Sequence, residues 1–406
     1  MRKLKSALAM SDLHLGKPEN YLHVNNPAYD KNREAVIEML HSLGPQDQLI
    51  LNGDLMELSL AGWDDVYEDL KSFFGILAEG GSYQRIVYIP GNHDHHFWRM
   101  LVEQTNITGR MIQGGSPPSN EMYPYCFVDV RFSSHETHEP CEAILPHLWP
   151  DNHETPEFII KYPHHLFAVP GQNKECTYYF FTHGHFFEPL FKPINYIIEP
   201  AHLEELEAFN NVWLEAFDYD LGHAGRMSEQ IFNLERIWQG GGYRAQQTVR
   251  QIFKEIQKVM MEAMHLAWWK SILVQFVFRV MFKQIPLSSL DKKGDLYQMP
   301  LDDKMIGRIV HYIEKYVLDR YQKGKAREYF LPVDADIPKP FSFVFGHTHR
   351  PTLSPEPVKI QGLDFTISNT GGWLRSDNKQ ANGVNAGAQL IHADGMEWIS
   401  LEGKLS

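Results

Sequence analysis

The stretch Ala7–Gly16 (ALAMSDLHLG) is the best guide to the fold of the amino-terminal half. Four apolar residues predict a short buried strand, and the polar turn after it carries Asp12 and His14. An apolar run followed by a polar turn returns four more times, at Leu49–Leu51, Ile86–Ile89, Tyr178–Phe181 and Phe341–Phe345. Between the first two runs, an apolar face predicts a helix that ends at Gly44 and Pro45. This alternation is typical of an α/β fold.

Composition divides the chain into three parts. Residues 1–195 carry the alternating pattern, interrupted over about 106–156 by a proline-rich stretch that predicts a long loop. Residues 196–337 are rich in Glu, Leu, Phe, Trp and Met and predict a large α-helical insertion. Strand patterns return in residues 338–406, at Phe341, Asp364–Ile367, Gln389–Ile391 and Met396–Leu401. We therefore expect one α/β domain in two parts, with a helical block between them.

Charge and cysteine content limit the class of protein. The 406 residues include 38 Lys and Arg against 51 Asp and Glu, a formal net charge of −13. This balance disfavours broad attachment to nucleic acid or to an anionic membrane, but it permits a local cationic site. The cysteines Cys126, Cys141 and Cys176 form neither an even set nor a CxxC pair. Because the apolar run near the start is short and leads into a polar turn, we expect a first strand, no signal peptide and a cytoplasmic location.

The segment His265–Phe282 is the most hydrophobic in the chain. Lys270, Gln275 and Arg279 interrupt it, so no uncharged run reaches the ~18 to 20 residues that a membrane span needs. The pattern predicts a helix buried in the insertion or in a dimer contact. A cap for an apolar substrate and a contact with a membrane surface stay open as alternatives.

Five polar turns carry side chains of the kind that bind metals. They hold Asp12 and His14 in SDLHLG, Asp54 in NGDLME, Asn92, His93 and Asp94 in PGNHD, His183 and His185 in THGH, and His347 and His349 in GHTHRP. Each turn follows a predicted strand, where open α/β sheets place their sites. Imidazole, carboxylate and amide oxygen together suit Zn²⁺, Mn²⁺ or Fe²⁺.

Charge arithmetic suggests a substrate class. Two ions ~3.5 to 4 Å apart need a shared carboxylate, for which Asp54 is the natural candidate. Two divalent ions bring about +4, of which Asp12, Asp54 and a bridging hydroxide remove about three. The site that remains is positive and would attract a phosphate ester.

The ordered motifs DxH, GD, GNHD, HGH and GHTH resemble those of the calcineurin-like metallophosphoesterases. The resemblance covers roughly residues 1–105, 160–190 and 338–406, and it implies an α/β sandwich of two packed sheets flanked by helices. It implies one divalent ion bound by Asp12, His14, Asp54 and His349, and a second bound by Asp54, Asn92, His183 and His347. It also implies that a metal-bridging hydroxide attacks phosphorus, that His93 assists the leaving group and that Asp94 orients His93.

Several side chains near these motifs have two interpretations. His185 shares a face with His183 and competes with it as a ligand, although the family pattern prefers His183. Arg350 is either a phosphate contact or a solvated residue. His95 and His96 either substitute for His93 or are exposed. Glu57 is expected to cap or brace the following helix, and Asn369 is either a turn residue or a neighbour of the site.

These patterns predict a dinuclear metal-dependent hydrolase of a small-molecule or lipid-linked phosphate ester, with the helical insertion as a cap and a possible membrane-surface contact. The SDLHLG and GHTHRP motifs also resemble UDP-diacylglucosamine pyrophosphohydrolases, in which inserted helices receive acyl chains. The longer insertion and the His in PGNHD argue against that branch. A nuclease is disfavoured by the −13 charge, and a non-catalytic metal-bound scaffold by the presence of His93.

Overall fold

The computed structural model describes residues 6–116, 128–132, 144–170, 176–187, 200, 202–220, 223, 301–318, 341–360, 363–375, 385–392 and 395–406. Its strands are β1 Ala7–Met10, β2 Gln46–Asn52, β3 Tyr83–Ile89, β4 Val128–Phe132, β5 Glu157–Tyr162, β6 His164–Pro170, β7 Cys176–Thr182, β8 Phe341–Phe345, β9 Glu356–Ile360, β10 Leu363–Asn369, β11 Gly387–His392 and β12 Gly395–Ser400. Its α-helices are α1 Tyr29–Leu43, α2 Trp63–Gly80, α3 His95–Glu103, α4 Gly109–Ile112, α5 Ile144–His147, α6 Leu203–Trp213 and α7 Asp303–Tyr312. Shorter helical turns are the π-helical Gln104–Thr108, Leu214–Asp220 and Ile313–Leu318 and the 3₁₀-helical His185–Phe187.

Within the described residues the strands form two mixed sheets, as expected for an α/β protein. The first has the order β12-β11-β1-β2-β3-β5-β4, and the second has the order β6-β7-β8-β10-β9. Strands β1, β2, β3 and β5 run parallel in the first sheet, as do β7, β8 and β10 in the second. Each sheet takes strands from residues 1–195 and from residues 338–406, so these two parts of the sequence build one fold together.

The two sheets face each other across a buried apolar layer. Ala7 and Ala9 of β1 share this layer with Val344 of β8, whereas Leu8 and Met10 belong to a second cluster that includes residues of α1 and α2. This division follows from the strand geometry, in which successive side chains point to opposite faces. The first sheet therefore has the second sheet on one face and helices on the other.

The region expected to be a long loop contains a strand. β4 pairs antiparallel with β5 at the edge of the first sheet. Its sequence, VDVRF, alternates apolar and polar residues over only five positions, so the prolines on either side concealed it. Strands β5 and β6 were also not predicted, because Pro163 separates them and His164 and His165 make β6 look polar.

Within residues 196–337 the structure describes two helical stretches: α6 with the π-helical turn after it, and α7 with the π-helical turn after it. The hydrophobic segment His265–Phe282 lies outside the described residues. In the part of the chain that the structure describes, no helix is both long enough and apolar enough to cross a membrane.

Candidate metal centre

The predicted metal-binding turns all follow the carboxyl ends of parallel strands. Asp12 follows β1, Asp54 follows β2 and Asn92 follows β3 in the first sheet. His183 follows β7 and His347 follows β8 in the second sheet. Because parallel neighbours end at the same edge of a sheet, and the two sheets are packed together, these turns meet in one place.

The backbone of these turns is strained. In the described residues, the non-glycine residues with positive φ are Asp12 (53°), His14 (47°), Asp54 (48°), His347 (67°) and His349 (52°). All of them belong to the predicted ligand set. The left-handed region costs an L-residue roughly 1 to 3 kcal/mol, and such costs are concentrated at functional sites. These five residues are also members of the donor groups described below.

Asp12, His14 and His349 form the first donor group, in which one donor atom of each lies within 4.8 Å of the others. His349 Nε2 is 3.3 Å from Asp12 Oδ1 and 3.1 Å from His14 Nε2. The backbone nitrogen of His347 donates to both Asp12 oxygens, at 2.9 and 3.0 Å. All three side chains of the group are buried.

Asp54, His183 and His347 form the second donor group, by the same 4.8 Å criterion. His183 Nε2 lies 3.1 Å from Asp54 Oδ2 and 3.1 Å from Asn92 Oδ1. The other ring nitrogen, Nδ1, lies 3.1 Å from the backbone oxygen of Asn52. A carbonyl at this position holds a proton on Nδ1 and leaves the Nε2 lone pair for a metal.

Asp54 belongs to the second donor group and also faces the first; a further group in the described residues, His14, Glu57 and His93, shares His14 with the first. Asp54 Oδ2 is 3.1 Å from His183 Nε2 and 3.7 Å from His14 Nε2. The Asp54 carboxylate thus faces histidines of both groups. These mostly buried donors mix carboxylate oxygen with imidazole nitrogen and could hold metal ions.

Burial and mutual charge shift the pKa values of these groups. Burial lowers the pKa of His14 to about 4, and burial together with the charge of His183 lowers the pKa of His347 to about 3. Burial opposes the charged form of Asp54, but His183 and His93 hold the pKa of its carboxyl well below the usual range. Asp54 is therefore an anionic donor and His14 a neutral one, as metal binding requires.

Glycines make room for the ligand side chains. Gly53 has φ +88°, and a Cβ there would overlap the His183 ring. A Cβ at Gly91 would overlap Asp54 Oδ1 and lie 2.5 Å from the Asp54 backbone nitrogen. Both positions therefore exclude a side chain, for steric reasons that the turns themselves impose.

Glu57 belongs to the site, in contrast to the expectation that it caps a helix. Its fully buried carboxylate accepts from His14 Nδ1 at 2.9 Å and from His93 Nδ1 at 2.7 Å, and Lys17 Nζ lies 3.6 Å away. Helix α2 begins only at Trp63. A carboxylate on Nδ1 directs Nε2 of each histidine away from it, so Glu57 orients both rings.

The Asp94 carboxylate bonds to the backbone of two turns, whereas the motif led us to expect that it orients the His93 ring. The carboxylate accepts from the backbone nitrogens of Leu55 at 2.7 Å and Gly91 at 2.5 Å, and so ties the GNHD turn to the turn after β2. Burial and the charge of Asp54 raise the pKa of Asp94 to about 6. Glu57 bonds to the His93 ring.

The remaining candidates divide between buried and exposed positions. His185 is buried, with its ring centre 5.7 Å from that of His183, and it belongs to none of the three donor groups among the described residues. His95 is buried rather than exposed. Asn369 Nδ2 donates to the Gly346 oxygen at 2.6 Å, so it braces the GHTH turn. Arg350 is exposed.

No protein-family model matches the chain, and a search of curated proteins finds no significant match. Conclusions about function therefore depend on the geometry of the site and on the sequence motifs.

Proposed function

We propose that this protein is a dinuclear metal-dependent phosphoesterase of the calcineurin-like type, built on a two-sheet sandwich with a large helical insertion. The observation that carries the proposal is that Asp54, a member of the second donor group, also lies beside His14 of the first. Two divalent cations, when bound, would supply positive charge that attracts a phosphate group and activates water. Mn²⁺, Fe²⁺ and Zn²⁺ suit the donors.

The protein's own residues have distinct roles in this proposal. Asp12, His14 and His349 would hold one cation, and Asn92, His183 and His347 the other, with Asp54 shared. Most of these donors are neutral, so they leave net positive charge for the substrate. The buried turns fix the donors before any cation binds.

His93 is the residue proposed to assist the leaving group. Its Nδ1 is bonded to Glu57, and its backbone nitrogen donates to Asp54 Oδ1 at 2.9 Å. The ring is therefore held beside the shared carboxylate. A protonated Nε2, stabilised by the Glu57 carboxylate, would donate its proton to the departing oxygen.

Purified protein with Mn²⁺ is expected to hydrolyse an aryl phosphate monoester or diester, and a chelator is expected to abolish the activity. His93→Ala should lower kcat by about 10² to 10⁴ while the metal content stays the same. Loss of metal in this variant would mean that His93 is a ligand. Metal-bound protein that hydrolyses no phosphate ester would favour a scaffold. Cleavage of single-stranded or double-stranded DNA would favour a nuclease.

A further inference from the structure

The beginning of the insertion packs on the turn that carries Asn92 and His93, through a buried histidine. Residues 203–220 place Glu207 Oε1 2.9 Å from His95 Nε2 and Glu215 Oε1 3.0 Å from His95 Nδ1. Both ring nitrogens of His95 thus face carboxylate oxygens. An ionised carboxylate can accept a hydrogen bond but cannot donate one, so both His95 nitrogens must carry a proton. His95 is 1% exposed. It is therefore a buried cation between two carboxylates of the insertion.

Glu207 also reaches the turn on the second sheet. Its Oε2 accepts from the Tyr162 hydroxyl at 2.8 Å, and that hydroxyl lies 3.3 Å from His185 Nε2. His185 is two residues from His183, a member of the second donor group. One side chain of the insertion is thus connected to both the GNHD and the HGH turns.

The change from α-helix to π-helix helps to place the second carboxylate. Glu215 lies in the π-helical turn Leu214–Asp220, eight residues after Glu207. Each residue of the wider π-helical turn rotates the chain less, so Glu215 lies closer to the Glu207 face than a continued α-helix would place it. Glu215 Oε2 also bonds to His96 Nδ1 at 2.7 Å, and the His96 ring stacks on Tyr219 with ring centres 3.6 Å apart.

We propose that His95 and Glu207 are positioning residues that fix the start of the insertion as a wall beside the metal centre. This inference rests on the proposed function: residues 203–220 would help the site to discriminate bulky phosphate esters from small ones. A phosphate with a small alcohol group would contact only the metal centre, whereas a larger group would extend to the wall.

The docking of residues 203–220 on His95 is tested by hydrogen exchange on the full chain, without any assay of activity. Glu207→Gln and His95→Gln remove the charge pairing, so amide exchange in residues 203–213 should accelerate about tenfold or more, at an unchanged metal content. Glu205→Gln is the matched control, because this exposed residue lies on the same helix and Gln still serves in its capping contact with His202. If Glu207→Gln exchanges like Glu205→Gln, the docking proposal is wrong.

Two further variants distinguish a local loss of the His95 contacts from a general loss of folding. Glu215→Gln leaves the Glu207 contact intact, so it should accelerate exchange less than His95→Gln does. In the His95→Gln/Glu207→Gln double variant, the effects should be smaller than the product of the single effects, because the two residues act as a pair. If the effects of the two single variants on exchange multiply in the double variant, His95 and Glu207 do not act as a pair.

Selectivity is tested with Mn²⁺ and two probes, p-nitrophenyl phosphate and bis(p-nitrophenyl) phosphate. Glu207→Gln should change the ratio of kcat/KM for the two probes by about tenfold, largely through KM, and Glu205→Gln should preserve it. Faster exchange with an unchanged ratio would contradict the role in selection. If the wild-type protein hydrolyses neither probe, the proposed function fails, while the exchange result still decides the docking.

Discussion

Asp54 is the residue that connects the two donor groups. Asp54→Asn keeps the size of the side chain but removes its charge, so both ions should bind more than about tenfold more weakly, since even outer partners of a metal ligand contribute about 10- to 100-fold. His347→Ala should weaken mainly one ion. Metal content per chain, measured at matched free-metal concentrations, distinguishes these results. Full retention of one ion in Asp54→Asn would show that the carboxylate is not shared.

Glu57 holds the rings of His14 and His93 in place, so its removal should reduce both metal affinity and turnover. Glu57→Gln is expected to lower kcat by about 10- to 100-fold, because the amide no longer stabilises a protonated His93. In a His93→Ala background the same change should have a much smaller effect on kcat. Steady-state kinetics of the single and double variants check this. Multiplicative effects would separate Glu57 from His93.

Glu57 also shows where prediction from sequence reached its limit. A Glu three residues after Asp54 fits a capping pattern, and nothing local distinguishes that role from a place in the site. His14 and His93 lie 43 and 36 residues away in sequence, so only the tertiary fold brings them to Glu57. The residues of the Asp12 and Asp54 donor groups were easier to single out, because each belongs to a glycine-containing turn after a strand.

At the scale of the turns, close packing of glycine against a ligand is a testable feature. Gly91→Ala should displace Asp54 and lower the affinity for both ions, since an added Cβ would overlap the Asp54 carboxylate. Gly75→Ala is the matched control: Gly75 lies inside α2, and an added Cβ there meets nothing within 4 Å. This control should be neutral or stabilising by up to about 1 kcal/mol. Isothermal titration with Mn²⁺ and thermal unfolding measure the two effects; equal metal affinity in both variants would contradict the packing argument.

The contact between α3 and the insertion should make stability depend on pH. Burial would lower the pKa of His95, but Glu207 and Glu215 raise it to about 9. Burial would raise the pKa of Glu215, but its bonds to His95 and His96 lower it to about 2. A second positive group, Arg99, also faces Glu215, with Arg99 Nη1 4.0 Å from Glu215 Oε2.

The direction of each pKa shift defines the pH range over which that residue stabilises the fold. The His95 contribution is complete below about pH 6.5 and is lost as the pH rises through about 9, whereas that of Glu215 is complete above about pH 4.3 and is lost as the pH falls through about 2. The melting temperature of wild type should exceed that of His95→Gln most between about pH 4.3 and 6.5. Thermal melts across pH 4 to about 10 check this expectation. A difference that grows toward pH 9 would contradict it.

Strands with a continuous apolar run were predictable from the sequence. Strands whose pattern is short, or is interrupted by proline or polar residues, were not. β1 and β8 lie at their predicted residues, because central parallel strands are apolar on both faces. β4 lies at an edge and needs only one partner strand, so its alternating pattern was too short to recognise. The helical character of residues 203–220 and 301–318 was predicted, but their approach to the GNHD turn was not.

At the scale of the whole molecule, the described strands from residues 1–195 and from residues 338–406 build both sheets together. The first sheet places β11 beside β1, and the second places β8 beside β7. The candidate metal centre depends on this shared construction of the sheets, since His183 comes from the first part of the sequence and His347 and His349 come from the second. The net charge of −13 is thus compatible with a locally positive centre, because the charge of the chain as a whole and the charge of this pocket are set by different residues.

The central claim is that two cations bind side by side at the shared Asp54. An anomalous-scattering map of crystals grown with Mn²⁺, supported by elemental analysis, tests it most directly. We predict two peaks per chain, ~3.5 to 4 Å apart, one within each donor group and both in contact with Asp54. A map with no peak at these donors, under conditions that supply excess Mn²⁺, would contradict the account.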